Sequence, residues 1–105
     1  MNEFDKREEA FEKKFALDEE QKFKAQARRN RLLGLWAAEK LGIAGDAATA
    51  YAKEVVAADF DEAGGVLRKL MADFAAGNVA VTEPAIRVRM DELGALAAAQ
   101  VKAGK

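Results

Sequence analysis

The sequence predicts an all-α protein, a small four-helix bundle with a long, partly overhanging N-terminal helix. Three observations lead there. Of 105 residues, half hydrophobic, 24 are alanine, the best helix former and small enough to let helix axes approach closely. Residues 3 to 31 hold 17 of the 35 charged residues and neither glycine nor proline. Beyond them, apolar stripes at helical spacing alternate with glycine, aspartate, threonine and proline at positions where helices stop and start.

The first helix is supported by opposite charges four residues apart, Glu9/Lys13, Asp18/Lys22 and Glu20/Lys24, each with the acid N-terminal to the base. That orientation is worth roughly 0.2 to 0.5 kcal/mol per pair. From Leu32 the pattern "LLGLWAAEKLG" presents Leu32, Leu33, Trp36 and Leu41 as a broad apolar face, and Gly42 and Gly45 end it. The second helix, "GDAATAYAKEVVAAD", is expected to start with Asp46 as N-cap and to bury Ala47, Tyr51 and Val55 beside Ala48, Ala52 and Val56. The third is expected to be capped by Asp59 or Asp61, weakened at its start by Gly64 and Gly65, and closed by Gly77, with Leu67, Leu70, Met71 and Phe74 inward. The fourth follows Thr82 as N-cap and Pro84 in the first turn, with Ile86, Met90, Leu93, Ala97 and Val101 on its stripe and a frayed tail. Short connections make successive helices antiparallel neighbours.

Chemistry is constrained by what is missing. The chain has no Cys, His or Ser, so conventional nucleophile and base combinations cannot be assembled, and disulfides and thiolate metal sites are excluded. The reading is non-enzymatic, with no cofactor and no metal. A net charge of -1 provides no single-sign field for nucleic acid, and "KAQARRNR" is offset by Asp18, Glu19 and Glu20, so it reads as a solvated helix face. "DFDEAGGVLRKL" has calcium-loop acids at Asp59 and Asp61, but Ala63 and Leu70 stand where further ligands are needed. No segment approaches the roughly 18 uninterrupted apolar residues of a membrane span, and no leader is evident, so a cytoplasmic location is expected.

The N-terminal stretch has its own geometry. On a helix, Phe4, Phe11 and Phe15 fall within about 40° of one another, whereas Phe23 is turned about 100° away. Along the same face Asp18, Glu19 and Lys22 interrupt the stripe before Leu33 and Trp36 restore it. Two apolar faces separated by polar turns suggest a docking arm, residues 1–19, joined to a globular domain, residues 20–105, with Phe23 belonging to the latter. Spacing leaves open whether Phe11 and Phe15 cover the protein's own core or a partner.

"FKAQARRNRLLGLWAAEKLG" and "YAKEVVAADF", within a similarity spanning nearly the whole chain, resemble the zeta-type inhibitor subunit of bacterial F-type ATP synthases. The resemblance implies a four-helix protein whose N-terminal arm inserts into the catalytic head, among its alpha, beta and gamma subunits, and blocks rotation during ATP hydrolysis. Matched to the family pattern, "NEFDKREEAFEKKFALDEE" supplies Phe4, Asp5, Arg7, Phe11, Glu12, Lys14 and Phe15; the reading makes Phe4, Phe11 and Phe15 apolar anchors and Asp5, Lys6, Arg7, Glu8, Glu12 and Lys14 flanking charge contacts. The chain is then expected to be a monomer when free, peripheral to the membrane-bound enzyme, without direct membrane insertion. After Phe60 it departs from the family pattern, with "DEAGGV" in place of a longer acidic insert before "RKL". A rival reading makes the Phe stripe a self-association surface, with no enzyme target.

Overall fold

A computed structural model describes residues 16–105, in which four helices follow in order: α1 (Glu19–Lys40), α2 (Gly45–Asp61), α3 (Gly65–Ala76) and α4 (Glu83–Lys102). Helix α1 is the shared element, packed against α2 on one side and α4 on another, while α3 lies against α2 and α4. Pairings such as Asn30 with Asp59 and Gly34 with Ala52 make α1 and α2 antiparallel. Arg28 with Gln100 and Arg29 with Gly94 do the same for α1 and α4.

Close approach at the α1–α2 crossing follows from side-chain size. A Cβ on Gly34 would lie 2.7 Å from the Ala52 Cα and 3.2 Å from the Val55 Cβ, so the backbones are already at contact. Around this crossing Leu33, Val55, Leu70 and Ile86 are completely buried, with Phe74 at 1% exposure. Trp36 lies edge-on to Phe74, ring centroids 5.8 Å apart, and is half-buried at the margin. The expected stripes of α3 and α4 point inward apart from three margins: Met71 is exposed, and Leu67 and Met90 are half-buried. On α2 the inward positions are Tyr51, Ala52 and Val55, and Ala47 is exposed.

Three helices end in the same way. The amides of Ile43, Val79 and Lys105 reach back to the carbonyls of Ala38, Phe74 and Gln100, over a left-handed residue at Gly42, Asn78 and Gly104 respectively. Thus Asn78, not Gly77, supplies the left-handed turn after α3, and the C-terminal tail is a closed cap, not a frayed end. Thr82 caps α4 as expected, its hydroxyl accepting from the Ala85 amide at 3.3 Å, with Pro84 in the first turn.

Two expected caps are corrected. Helix α2 starts at Gly45, in the left-handed region at φ +63°, with Ala44 at the N-cap position and Asp46 inside the first turn. A glycine can make this entry without strain, and Ala44 has no side-chain acceptor with which to cap it. Neither Asp59 nor Asp61 caps α3, because both remain in α2; the chain turns instead through Gly64 at φ +74°. Gly65 follows with its α-carbon so close to Ala58 that an added Cβ would lie 2.3 Å from the Ala58 carbonyl oxygen. The two glycines form the α2–α3 corner.

A polar cluster joins α2 to α3. The Tyr51 hydroxyl donates to Asp73 Oδ2 at 2.7 Å, Lys69 Nζ lies 3.1 Å from the same oxygen, and Lys69 is 5.0 Å from the Tyr51 ring centroid. Burial first, then the hydrogen bond and the nearby carboxylates of Asp73 and Glu54, hold the Tyr51 phenol well above its usual range.

Gly34→Ala is expected to destabilise the fold by about 1 to 2 kcal/mol, the overpacking at Ala52 outweighing the gain in helix propensity, seen as a lowered urea midpoint at unchanged slope. Because the folded state holds the Tyr51 proton more tightly than the unfolded one, its contribution is complete below about pH 10 and is lost as pH rises toward the folded value. Tyr51→Phe should cost about 1 kcal/mol at neutral pH and flatten that alkaline loss, read from urea midpoints measured across pH 8 to 11.

Candidate functional site

The site residues expected from the sequence, Phe4, Asp5, Lys6, Arg7, Glu8, Phe11, Glu12, Lys14 and Phe15, lie outside the described residues. What is described is the place where they join the bundle. Residues 16–18 are not helical, so the helix read as unbroken through Asp18 starts at Glu19 instead. Asp18, with φ -74° and ψ 175°, accepts the Gln21 amide on Oδ1 at 2.7 Å, and Gln21 Oε1 accepts the Asp18 amide at 3.2 Å. This reciprocal box satisfies two backbone donors at the start of α1. Its signal, Asp followed three residues later by Gln, was present in the sequence.

Glu19 and Glu20 sit in the first turn, where the helix dipole favours negative charge. Lys24 pairs with Glu20 as the spacing predicted, at 3.4 Å, but Lys22 pairs with Glu19 at 3.6 Å, since Asp18 is engaged in the cap. Just before the cap, the Ala16 carbonyl accepts from Lys102 Nζ at 2.9 Å, tying the junction to the last turn of α4.

The first turns of α1 then present two different flanks. On the α2 side, Asn30 is 1% exposed and donates from Nδ2 to Asp59 Oδ2 at 3.0 Å, while its Oδ1 accepts from Arg29 Nε at 3.1 Å and from a terminal Arg29 nitrogen at 2.9 Å. Gln26 Nε2 donates to the same Asp59 oxygen at 3.1 Å. This buried network has no local sequence signature, because its members are 29 and 33 positions apart. Outside it, Phe23 and Phe60 meet at 6.0 Å between ring centroids, and both are largely exposed, at 60% and 66%. Phe23 therefore belongs to the bundle's surface, not its core.

On the α4 side lies a groove of about 640 Å³, walled by Lys22, Ala25, Gln26 and Arg29 of α1 and by Met90, Asp91, Gly94, Ala95 and Ala98 of α4, with Leu17 at one end. Arg29 crosses it, its Cδ 3.5 Å from where a Gly94 side chain would begin. Basic residues of the "KAQARRNR" stretch are engaged within the fold: Arg28 donates to Gln100 and to the Lys105 carbonyl, and Arg29 to Asn30. Among the described residues no group of three or more acidic side chains could hold a metal ion, and no helix is long and apolar enough to cross a membrane.

Removing Asn30 strips Asp59 of a donor and Arg29 of its acceptor inside a buried contact. Asn30→Ala is expected to cost about 1 to 3 kcal/mol, and a double-mutant cycle with Asp59→Ala should return a coupling of at least about 0.5 kcal/mol from urea titrations.

Comparison with known proteins places this architecture. A structure determined by solution NMR superposes with a TM-score of 0.68 at 48% sequence identity, covering 79% of this chain and 96% of the other. No curated protein matches. The profile of the family described as ATPase inhibitor subunit zeta matches residues 1–100, taking in both the N-terminal segment and the helices. The chain belongs to the ATPase inhibitor subunit zeta family.

Proposed function

We propose that this protein inhibits ATP hydrolysis by an F-type ATP synthase, inserting residues 1–19 as a helical arm between catalytic and non-catalytic subunits of the head so that rotation stalls. The bundle of residues 20–105 holds the arm in position. The family assignment carries this reading, because it extends over residues 1–100 and therefore over the arm itself. The aromatic stripe of Phe4, Phe11 and Phe15 gives it a physical means: burying each ring in a groove is worth roughly 1.5 to 3 kcal/mol. Asp5, Lys6, Arg7, Glu8, Glu12 and Lys14 flank the stripe and set register through charge pairs with the alpha, beta and gamma subunits. The capping box at Asp18 supports a division of labour, since α1 starts on its own hydrogen bonds.

The test is ATP hydrolysis by a matching synthase head with full-length chain against a chain lacking residues 2–15, which keeps Asp18 and Gln21. The deletion should abolish inhibition while circular dichroism shows a helical bundle with a cooperative melt, and Phe11→Ala should weaken inhibition about tenfold or more. Full inhibition by the deleted chain would overturn the proposal.

A further inference from the structure

The groove between α1 and α4 has a geometry suited to one occupant. We propose that it is the resting site of the chain's own residues 1–15, so that the arm has two mutually exclusive places to bury its aromatic stripe. The segment arrives at the groove. The Ala16 carbonyl is held by Lys102 beside it, and Leu17, half-buried, lines its end. The three non-helical residues 16–18 have the length of a helix-hairpin connection, and the extended backbone of Asp18 lets the chain reverse there.

Length and size agree. On a helix, Phe4 to Phe15 spans about 16 Å, against about 12 Å from Met90 to Ala98 along the α4 wall. Ala25 of α1 and Gly94, Ala95 and Ala98 of α4 leave room between the two walls. Charge agrees as well. A hairpin centred on residue 17 pairs position 15 with 19, 12 with 22 and 5 with 29, which sets Glu12 opposite Lys22 and Asp5 opposite Arg29. These are the residues assigned to the target in the proposed function, on which the regulatory consequence rests: a resting arm must leave the groove before it can insert. Occupancy of the groove lowers apparent inhibitory affinity by the fraction of molecules left with the arm free.

Because the chain lacks cysteine, Glu9→Cys gives the full-length protein a single site for a nitroxide label. Paramagnetic broadening should concentrate on the amides of Ala25, Gly94, Ala95 and Ala98 and should be relieved when exposed Ala95 is replaced in Ala95→Trp. Broadening that is absent, or spread over other faces, overturns the proposal. So does broadening that passes from labelled, isotope-silent chains to unlabelled, isotope-enriched ones, which would make a second copy the occupant. With docking established, Ala95→Trp should inhibit hydrolysis about three- to tenfold more tightly, and unchanged potency would overturn the competition. Failure of the arm deletion to relieve inhibition would instead strike the proposed function and leave the broadening result standing.

Discussion

The contact between α1 and α2 at Gly34 and Ala52 is the constraint on which the rest of the bundle depends. Here two backbones touch, and the spacing that results decides which side chains fit around them. It lets short residues such as Ala37, Ala38 and Val55 fill the centre completely, with Leu33, Leu70, Phe74 and Ile86 closing the remaining space. It also brings Asn30 within reach of Asp59, so the crossing is fixed in register by directional bonds as well as by size. A thin core can then suffice, because close packing substitutes contact for bulk.

Helix α1 serves two neighbours, and its two sides are used differently. Toward α2 it offers Asn30 and Gly34, positions buried by contact; toward α4 its early turns leave an open groove lined by small residues. The bundle is therefore tight at its middle and open near the junction with residues 1–15. That asymmetry is what permits a single element to act both as structural axis and as neighbour of the proposed inhibitory arm.

The helices were legible because their apolar residues repeat at helical spacing: Leu33, Val55, Leu70, Ile86 and Val101 were read as inward from sequence and are buried. Thr82 and Glu20 with Lys24 were equally local and equally readable. Misreadings arose where local signals compete. Asp46, Asp59 and Asp61 are good caps by type, but Gly45 and Gly64 adopt left-handed backbone that makes those turns without them. Phe23 was read as part of the bundle and lies on it against Phe60, but its exposure was not legible, because periodicity tells which residues share a face and not whether that face is covered. The Asn30 network needed the tertiary fold, since nothing along the chain links positions 30 and 59. As for the candidate site, the fold resolves its junction at residues 16–18, whereas the assignment of Phe4 to Phe15 still rests on spacing and family.

The reciprocal hydrogen bonds of Asp18 and Gln21 have an evolutionary consequence. A helix that supplies its own beginning asks nothing of the sequence ahead of it, so substitutions upstream of residue 16 are relieved of the duty of nucleating α1. Changes in the leading segment are then limited by the surfaces it meets, the α1–α4 groove among them, and not by the start of α1.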